Sequence, residues 1–506
     1  MKVKKYIPPL IYLLLVLVCL AAVFLAGRLA KPPGGAGQEG AAPSGEAPSK
    51  GSSPEEESRP LFWEEEETEA PARPPFGKTP LKPGREDTQE APQETEESPY
   101  VPPWILLASD IHYMSKTTHD GGEAFRQMEA SDDGKINGYS DMLVDTLVEE
   151  AIAQKPSALV LAGDITHNGE RENHLGLAEK LRRAKEAGVP VLVVPGNHDI
   201  NNRNAATYFG SEKAAAQYLE AGQDFLEIYH EFGYGQAFSR DPASLSYFYA
   251  LDDTHWILML DTCQYEGYNQ VSGRLKPETM AWAEGYLDQA MAQGVEVLPV
   301  GHHNLLSESR LYTVECTMEN HQDVIRMWEK YGLPLYVSGH LHAQRIKKHK
   351  AEPGVPEGSY GVAEVVLPPY GMAPCQYGCL EWEEGGGMKF WTKQADVAAY
   401  AAAQGSRDEN LLCFGRYGPE FTKAVVKEQA KKTINAMPED LKEEMASLYS
   451  QVYFDYCAGN RVCWDEARAT RAYRLWERVA PDSRYIKEMW QMAEDAKQDL
   501  HNWSRE

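Results

Sequence analysis

Five apolar, largely β-branched runs in this chain each stop at a glycine or an aspartate and deliver Asp, Asn or His at the stop. "WILLASDIH" ends in Asp110 and His112, "ALVLAGDITHNGE" in Gly163 and Asp164, and "VVPGNHDINN" in Gly196, Asn197, His198 and Asp199. "VEVLPVGHHN" ends in His302 and His303, and "LPLYVSGHLH" in His340 and His342. Runs of this kind suit strands covered on both faces. In open α/β sheets ligands sit beyond the carboxyl ends of the strands, so these polar residues are expected at one rim. GNHD alone reads equally well as a polar turn entering a helix; its repetition at other strand ends does not. Buried charge is costly unless it is paired or coordinates a metal, and imidazole, carboxylate and amide oxygen together form a ligand set for Mn, Fe or Zn.

The order D-x-H, G-D, G-N-H-D, G-H-H, G-H-x-H resembles the calcineurin-like metallophosphoesterase superfamily over about residues 100 to 395. "GDITHNGERENH" followed by "VVPGNHDINN" is similar to the membrane-anchored class III cyclic-nucleotide phosphodiesterases of Gram-positive bacteria, which also carry a helical C-terminal domain. The resemblance implies that Asp110, His112 and His342 hold one metal, that Asn197, His302 and His340 hold a second, and that Asp164 bridges them. It implies Mn or Fe/Mn, with Zn admissible. Two metals about 3.5 to 4 Å apart clamp the attacking and leaving oxygens of a displacement at phosphorus and acidify water. His198 is then expected to donate a proton to the leaving group, with Asp199 orienting and charging it. The implied substrate is a small phosphoester, first a cyclic nucleotide. A nucleotide monoester or a glycerophosphodiester of lipid or cell-wall polymer is the alternative, and the intact ligand set argues against a catalytically silent binding module.

His303 is open between a substrate contact and a group that supports a ligand. Tyr113 and His119, just beyond the first ligand pair, are tentative substrate contacts, with a surface loop as the plainer reading. His167, His174, His230, His255, His321, His349 and His501 have no partner pattern and read as ordinary.

The opening "MKVKKYIPPLIYLLLVLVCLAAVFLAGRLAK" has three lysines before an apolar run near the length of a membrane span. An uncleaved signal anchor over residues 1–31 is favoured over a cleaved signal peptide, which would give a secreted form; the lysines place the rest of the chain outside the cytoplasm. Residues 32–99, rich in Pro, Gly, Ser and Glu, are expected to be a disordered tether. The net charge of −26 disfavours nucleic-acid polymers as partners. The sequence carries no signal of oligomeric state.

Between the third and fourth blocks, "SLSYFYALDDTHWILMLDTCQY" predicts a hairpin about Asp252 and Asp253, and "KPETMAWAEGYLDQAMAQG" a helix closing on Gly294. Strands alternating with helices over 100–395 suit two packed sheets flanked by helices, the αββα sandwich that the resemblance implies. Residues 396–506 read as helices alone, a small bundle with Pro419 at the start of its first long helix. Cys375 with Cys379, and Cys457 with Cys463, are candidate disulfides; neither pair has the further Cys or His that zinc needs.

Overall fold

The computed structural model describes residues 100–307, 309–349, 361–434 and 437–505. The expected anchor and tether, residues 1–99, lie outside the described residues. Among the described residues no helix is long and apolar enough to cross a membrane.

All five apolar runs become strands. Trp104–Ala108, Ala158–Ala162 and Val191–Val194 pair in parallel, and Trp104–Ala108 also pairs antiparallel with Gln376–Glu383. This six-stranded sheet continues through Gly387–Gln394 to Asn502–Arg505. In a second, seven-stranded sheet His255–Leu260, Glu296–Gly301, Leu335–Ser338 and Ala363–Val366 run parallel. The predicted hairpin, Tyr247–Ala250 with His255–Leu260, lies toward one edge.

Side-chain alternation decides what each face meets. Ile257 and Met259 join one core with Val160 and Val193 of the first sheet, whereas Leu258 and Leu260 cluster with Ala283, Leu287, Val324 and Trp328. Those last four belong to the helices Pro277–Gln293 and His321–Lys330. On the first sheet, Leu143 and Leu147 of Ser140–Gln154 and Leu177 and Leu181 of Arg171–Glu186 enter the shared core. The mixed α/β fold is thus built as helix, sheet, sheet, helix. Pro277 opens its helix and Gly294, at φ 71°, closes it, as the sequence predicts.

The C-terminal region departs from the expectation of helices alone. Helices run from Phe414–Thr433 to Arg484–Asp495, and then Asn502–Arg505 adds a strand antiparallel to Gly387–Gln394. The last helix ends because Ala496 turns to φ −114° and ψ 51° and its carbonyl accepts from Val462 N at 2.8 Å. The open sheet edge then supplies hydrogen-bond partners to the following residues. Pro419 lies inside Phe414–Thr433 and not at its start, because Phe414–Gly418 adds a turn ahead of it. Cys375, Cys379, Cys457 and Cys463 are all free thiols, so neither candidate disulfide forms.

This helical region packs directly beneath loops that bear candidate site residues. Leu341 and Ala343, on either side of His342, share a core with Tyr456 and Trp476. Gln344 N donates to Cys457 O at 2.9 Å. Thr422 Oγ1 donates to Gly134 O at 2.9 Å and Gln429 Nε2 to Asp132 O at 2.6 Å, so a second loop is held from below as well.

Candidate metal centre

The strand-end turns are tight. Asp110, His112, Asp164, His340 and His342 all adopt positive φ, between 47° and 69°, a conformation that non-glycine residues keep only when their surroundings enforce it. Gly163 shows the crowding, since a Cβ there would stand 2.5 Å from His302 Nδ1.

These turns bring two groups of potential ligands together, Asp110, His112, Asp164 and His342 in one and Asp164, His302 and His340 in the other, with donor atoms within 4.8 Å of one another in each. His302 Nε2 is 3.2 Å from Asp164 Oδ2 and also 3.2 Å from Asn197 Oδ1. His342 Nε2 is 3.4 Å from Asp110 Oδ1 and 3.0 Å from His112 Nε2. His112 Nε2 is 3.9 Å from Asp164 Oδ2.

Second hydrogen bonds set the tautomers. His302 Nδ1 donates to Ala162 O at 2.9 Å, His342 Nδ1 to Asp133 Oδ2 at 2.6 Å, and His340 Nε2 to Glu315 O at 3.0 Å. In its neutral form each ring is left with one lone pair turned toward the shared acidic centre, which is how imidazoles are oriented for a cation. The donor set of carboxylate, imidazole and amide oxygen therefore fits metal ions.

Electrostatics agree with that fit. Burial would raise the Asp164 carboxyl, but its electrostatic interactions with His302 first and then His198 hold it well below the usual range. Burial would lower His302, yet Asp164 keeps it up at about 9. Burial and Lys135 would lower His342, yet Asp133, with a hydrogen bond to Asp110, brings it to about 10. Burial holds His112 well below the usual range and His340 at about 4, so the raised imidazoles are the two that face Asp164 and Asp133.

His198 sits at the open side of the centre, its Nε2 4.0 Å from Asp164 Oδ2 and its side chain 32% exposed. Its Nδ1 donates to His167 O at 2.7 Å and to Asn168 Oδ1 at 3.0 Å. The expectation that Asp199 orients His198 is corrected here. The Asp199 carboxylate accepts from Gly196 N at 2.8 Å, Thr166 N at 2.9 Å, Thr166 Oγ1 at 2.7 Å and Ile165 N at 3.2 Å. It ties the GNHD turn to the GDIT turn, and burial together with the Asp164 charge raises it to about 6. Neighbours in the chain point apart on so tight a turn.

None of the three candidate substrate contacts lines the cavity that opens from His112 and His198. His303 is fully buried, with Nδ1 2.7 Å from Thr262 Oγ1 and Nε2 2.9 Å from Val271 O, so it supports the turn and has no nitrogen left for substrate. Tyr113 is buried and donates to Asp141 Oδ1 at 2.7 Å. His119 stacks on Phe125 with ring centroids 4.0 Å apart. The cavity that opens from His112 and His198, about 230 Å³, is lined instead by residues including Met128, His167, Asn168 and Tyr208.

Sequence reasoning missed Asp133 and read His167 as ordinary. His167 had a usable signal, since it stands three residues after Asp164 on the same strand-end turn. Asp133 had none, because "SDDGK" reads as any acidic turn.

Residues 103–344 match the calcineurin-like phosphoesterase model, and residues 396–499 match the C-terminal domain of cyclic nucleotide phosphodiesterase. Among solved structures, a dimetal phosphatase from Danio rerio is similar at 14% identity, covering 58% of this chain and 97% of that one with a TM-score of 0.44. Purple acid phosphatase PPD1 from yellow lupin is similar at 14% identity, covering 58% of this chain and 51% of that one with a TM-score of 0.37. No curated protein matches. The chain is thus similar to calcineurin-like phosphoesterases over residues 103–344 and to the C-terminal domain of cyclic nucleotide phosphodiesterase over residues 396–499.

Proposed function

We propose that this chain is a two-metal phosphodiesterase that hydrolyses cyclic nucleotides. Asp110, His112 and His342 hold one cation, Asn197, His302 and His340 hold the other, and Asp164 serves both. The observation that carries this reading is the convergence of oriented imidazole nitrogens on Asp164 and Asp110. The match of residues 396–499 supports the substrate class. Mn, Fe or a mixed pair suits the donors, and Zn is compatible with them.

When bound, such cations polarise phosphoryl oxygens and make water a nucleophile at neutral pH. The chain's own groups do the rest. Asp133, Ala162 O and Glu315 O keep His342, His302 and His340 turned inward. His198 gives a proton from Nε2 to the departing alkoxide, its Nδ1–H held by His167 O and Asn168 Oδ1. The test is hydrolysis by the purified chain after chelation and after Mn or Fe is restored, on a cyclic nucleotide and on a nitrophenyl phosphodiester. Full activity with metal content near zero refutes the two-metal reading. Hydrolysis of the nitrophenyl ester alone refutes the substrate.

The lysine-flanked apolar opening and the tether that follows it support a single-pass membrane anchor with the catalytic domain outside the cytoplasm. Protease added to intact cells should release that domain by cutting within residues 32–99. A domain that stays intact under that treatment refutes the orientation.

A further inference from the structure

The cavity that leaves the metal-ligand cluster past His112 and His198 is lined by two polar side chains, each with a group that has no partner among the described residues. His167 and Tyr208 both line it and are only 7% and 3% exposed. His167 Nδ1 is buried and has no hydrogen bond among the described residues. The Tyr208 hydroxyl has no hydrogen bond among the described residues either, but unlike His167 Nδ1 it is not fully buried; the partial burial of the residue raises it to about 12. Buried polar groups are nearly always satisfied, and exceptions in a cleft mark places where something else supplies the partner.

The remaining walls are of two kinds: Ser131, Asn168 and the Asp132–Lys135 ion pair at 3.0 Å give a polar side, and the side of Tyr208 and Met128 an apolar one. The Tyr208 ring packs in a small cluster with Phe125, Ala206 and the side of Met128, giving the cleft a flat apolar flank. Aromatic and thioether surfaces of this kind take planar rings well. A volume of about 230 Å³ is less than a whole drug-sized ligand fills, and suits one half of a molecule whose other half sits at the metal cluster. An acyl chain is disfavoured, because it would leave His167 and Tyr208 desolvated and still unpaired.

We propose that this cavity seats the organic half of the substrate, a hydroxylated, ring-bearing alcohol of nucleoside type, through hydrogen bonds from His167 and Tyr208. The proposal rests on the phosphoesterase reading above and assigns the specificity of that site to two residues outside the metal ligands. His167 also contributes its main-chain carbonyl to His198, so the same loop aims the proton donor and reads the alcohol.

The test is calorimetric binding to the full-length, Mn-loaded chain, with adenosine 5′-monophosphate and inorganic phosphate as the probes. The wild-type protein should bind the nucleotide more tightly than phosphate. Tyr208→Phe removes one oxygen and leaves the packed ring. His167→Gln keeps a polar side chain of similar reach while changing its donor geometry. Each should weaken nucleotide binding by about 2- to 10-fold, the range for one lost hydrogen bond, while phosphate affinity and metal content change less than twofold. Two results overturn the proposal: nucleotide binding no tighter than phosphate in the wild-type protein, or a nucleotide preference that both variants retain. Tyr208→Phe alone decides the matter if His167→Gln does not fold. Because binding is read without turnover, failure of the hydrolytic reading and failure of this one are separate results.

Discussion

Replacing Asp133 tests whether a residue from a remote turn sets the metal affinity of this centre. Its Oδ2 takes the Nδ1 proton of His342 at 2.6 Å, while its Oδ1 takes Lys135 Nζ at 2.7 Å. A short bond between imidazole and carboxylate is charge-assisted and about twice as strong as a neutral one. Removing such an outer partner of a ligating histidine costs about 10- to 100-fold in metal affinity, or about 1.4 to 2.7 kcal/mol. Asp133→Asn keeps an acceptor but loses the charge, so it should fall near the lower figure. Asp133→Ala frees the ring to rotate and should approach the higher one. Lys135 keeps Asp132 at 3.0 Å in both variants, so the loop retains one ion pair. The assay is equilibrium dialysis against Mn with elemental analysis, accompanied by urea unfolding of the metal-free proteins. One equivalent, that of Asp110, His112 and His342, should be lost first while the other stays. Affinity within twofold of wild type in Asp133→Ala, at unchanged stability, refutes the assignment.

His198→Ala should keep both metal equivalents and lose about 10² to 10⁴ in rate on a cyclic nucleotide, with a smaller loss on a nitrophenyl diester whose leaving group departs without a proton. Loss of a metal equivalent by elemental analysis would make His198 a ligand instead. Asp199→Ala removes the acceptor of four hydrogen bonds and should cost about 2 to 4 kcal/mol in urea unfolding; normal stability with a rate loss confined to basic leaving groups would restore its expected role beside His198. Burial raises Glu129 from 4.5 to about 7, so the folded state binds the extra proton between those values. Relative to Glu129→Gln, wild-type stability should therefore be greatest below pH 4.5 and fall as pH rises to 7, by at most about 3 kcal/mol. A difference that is flat with pH across that window would show that the carboxyl is not perturbed.

What the sequence made legible here is what short range determines. A strand that ends in Gly-Asp or Gly-Asn-His-Asp must place those residues at the sheet rim, and the positive φ values of Asp110, Asp164 and His342 show how directly the local turn does so. The two sheets were readable for the same reason, since alternation along His255–Leu260 is a local pattern with a global consequence. Partners chosen across the fold left no such trace. Asp133 meets His342 across 209 positions, and its acidic turn looks like any solvent-facing loop. Asp199 misled in the opposite direction, because adjacency to His198 in the chain suggested a contact, whereas its carboxylate is taken up by Gly196, Ile165 and Thr166. Asn502–Arg505 has no pattern of its own and becomes a strand only because Gly387–Gln394 presents a free edge. The same logic explains why the helical region, which carries none of the site residues, still bears on the chemistry. Thr422 and Gln429 hold the turn that carries Asp133, and Tyr456 and Trp476 pack in one core with the residues flanking His342. Both ends of the Asp133–His342 hydrogen bond therefore rest on C-terminal helices, and its 2.6 Å length is a property of the packing between the two regions as much as of either residue.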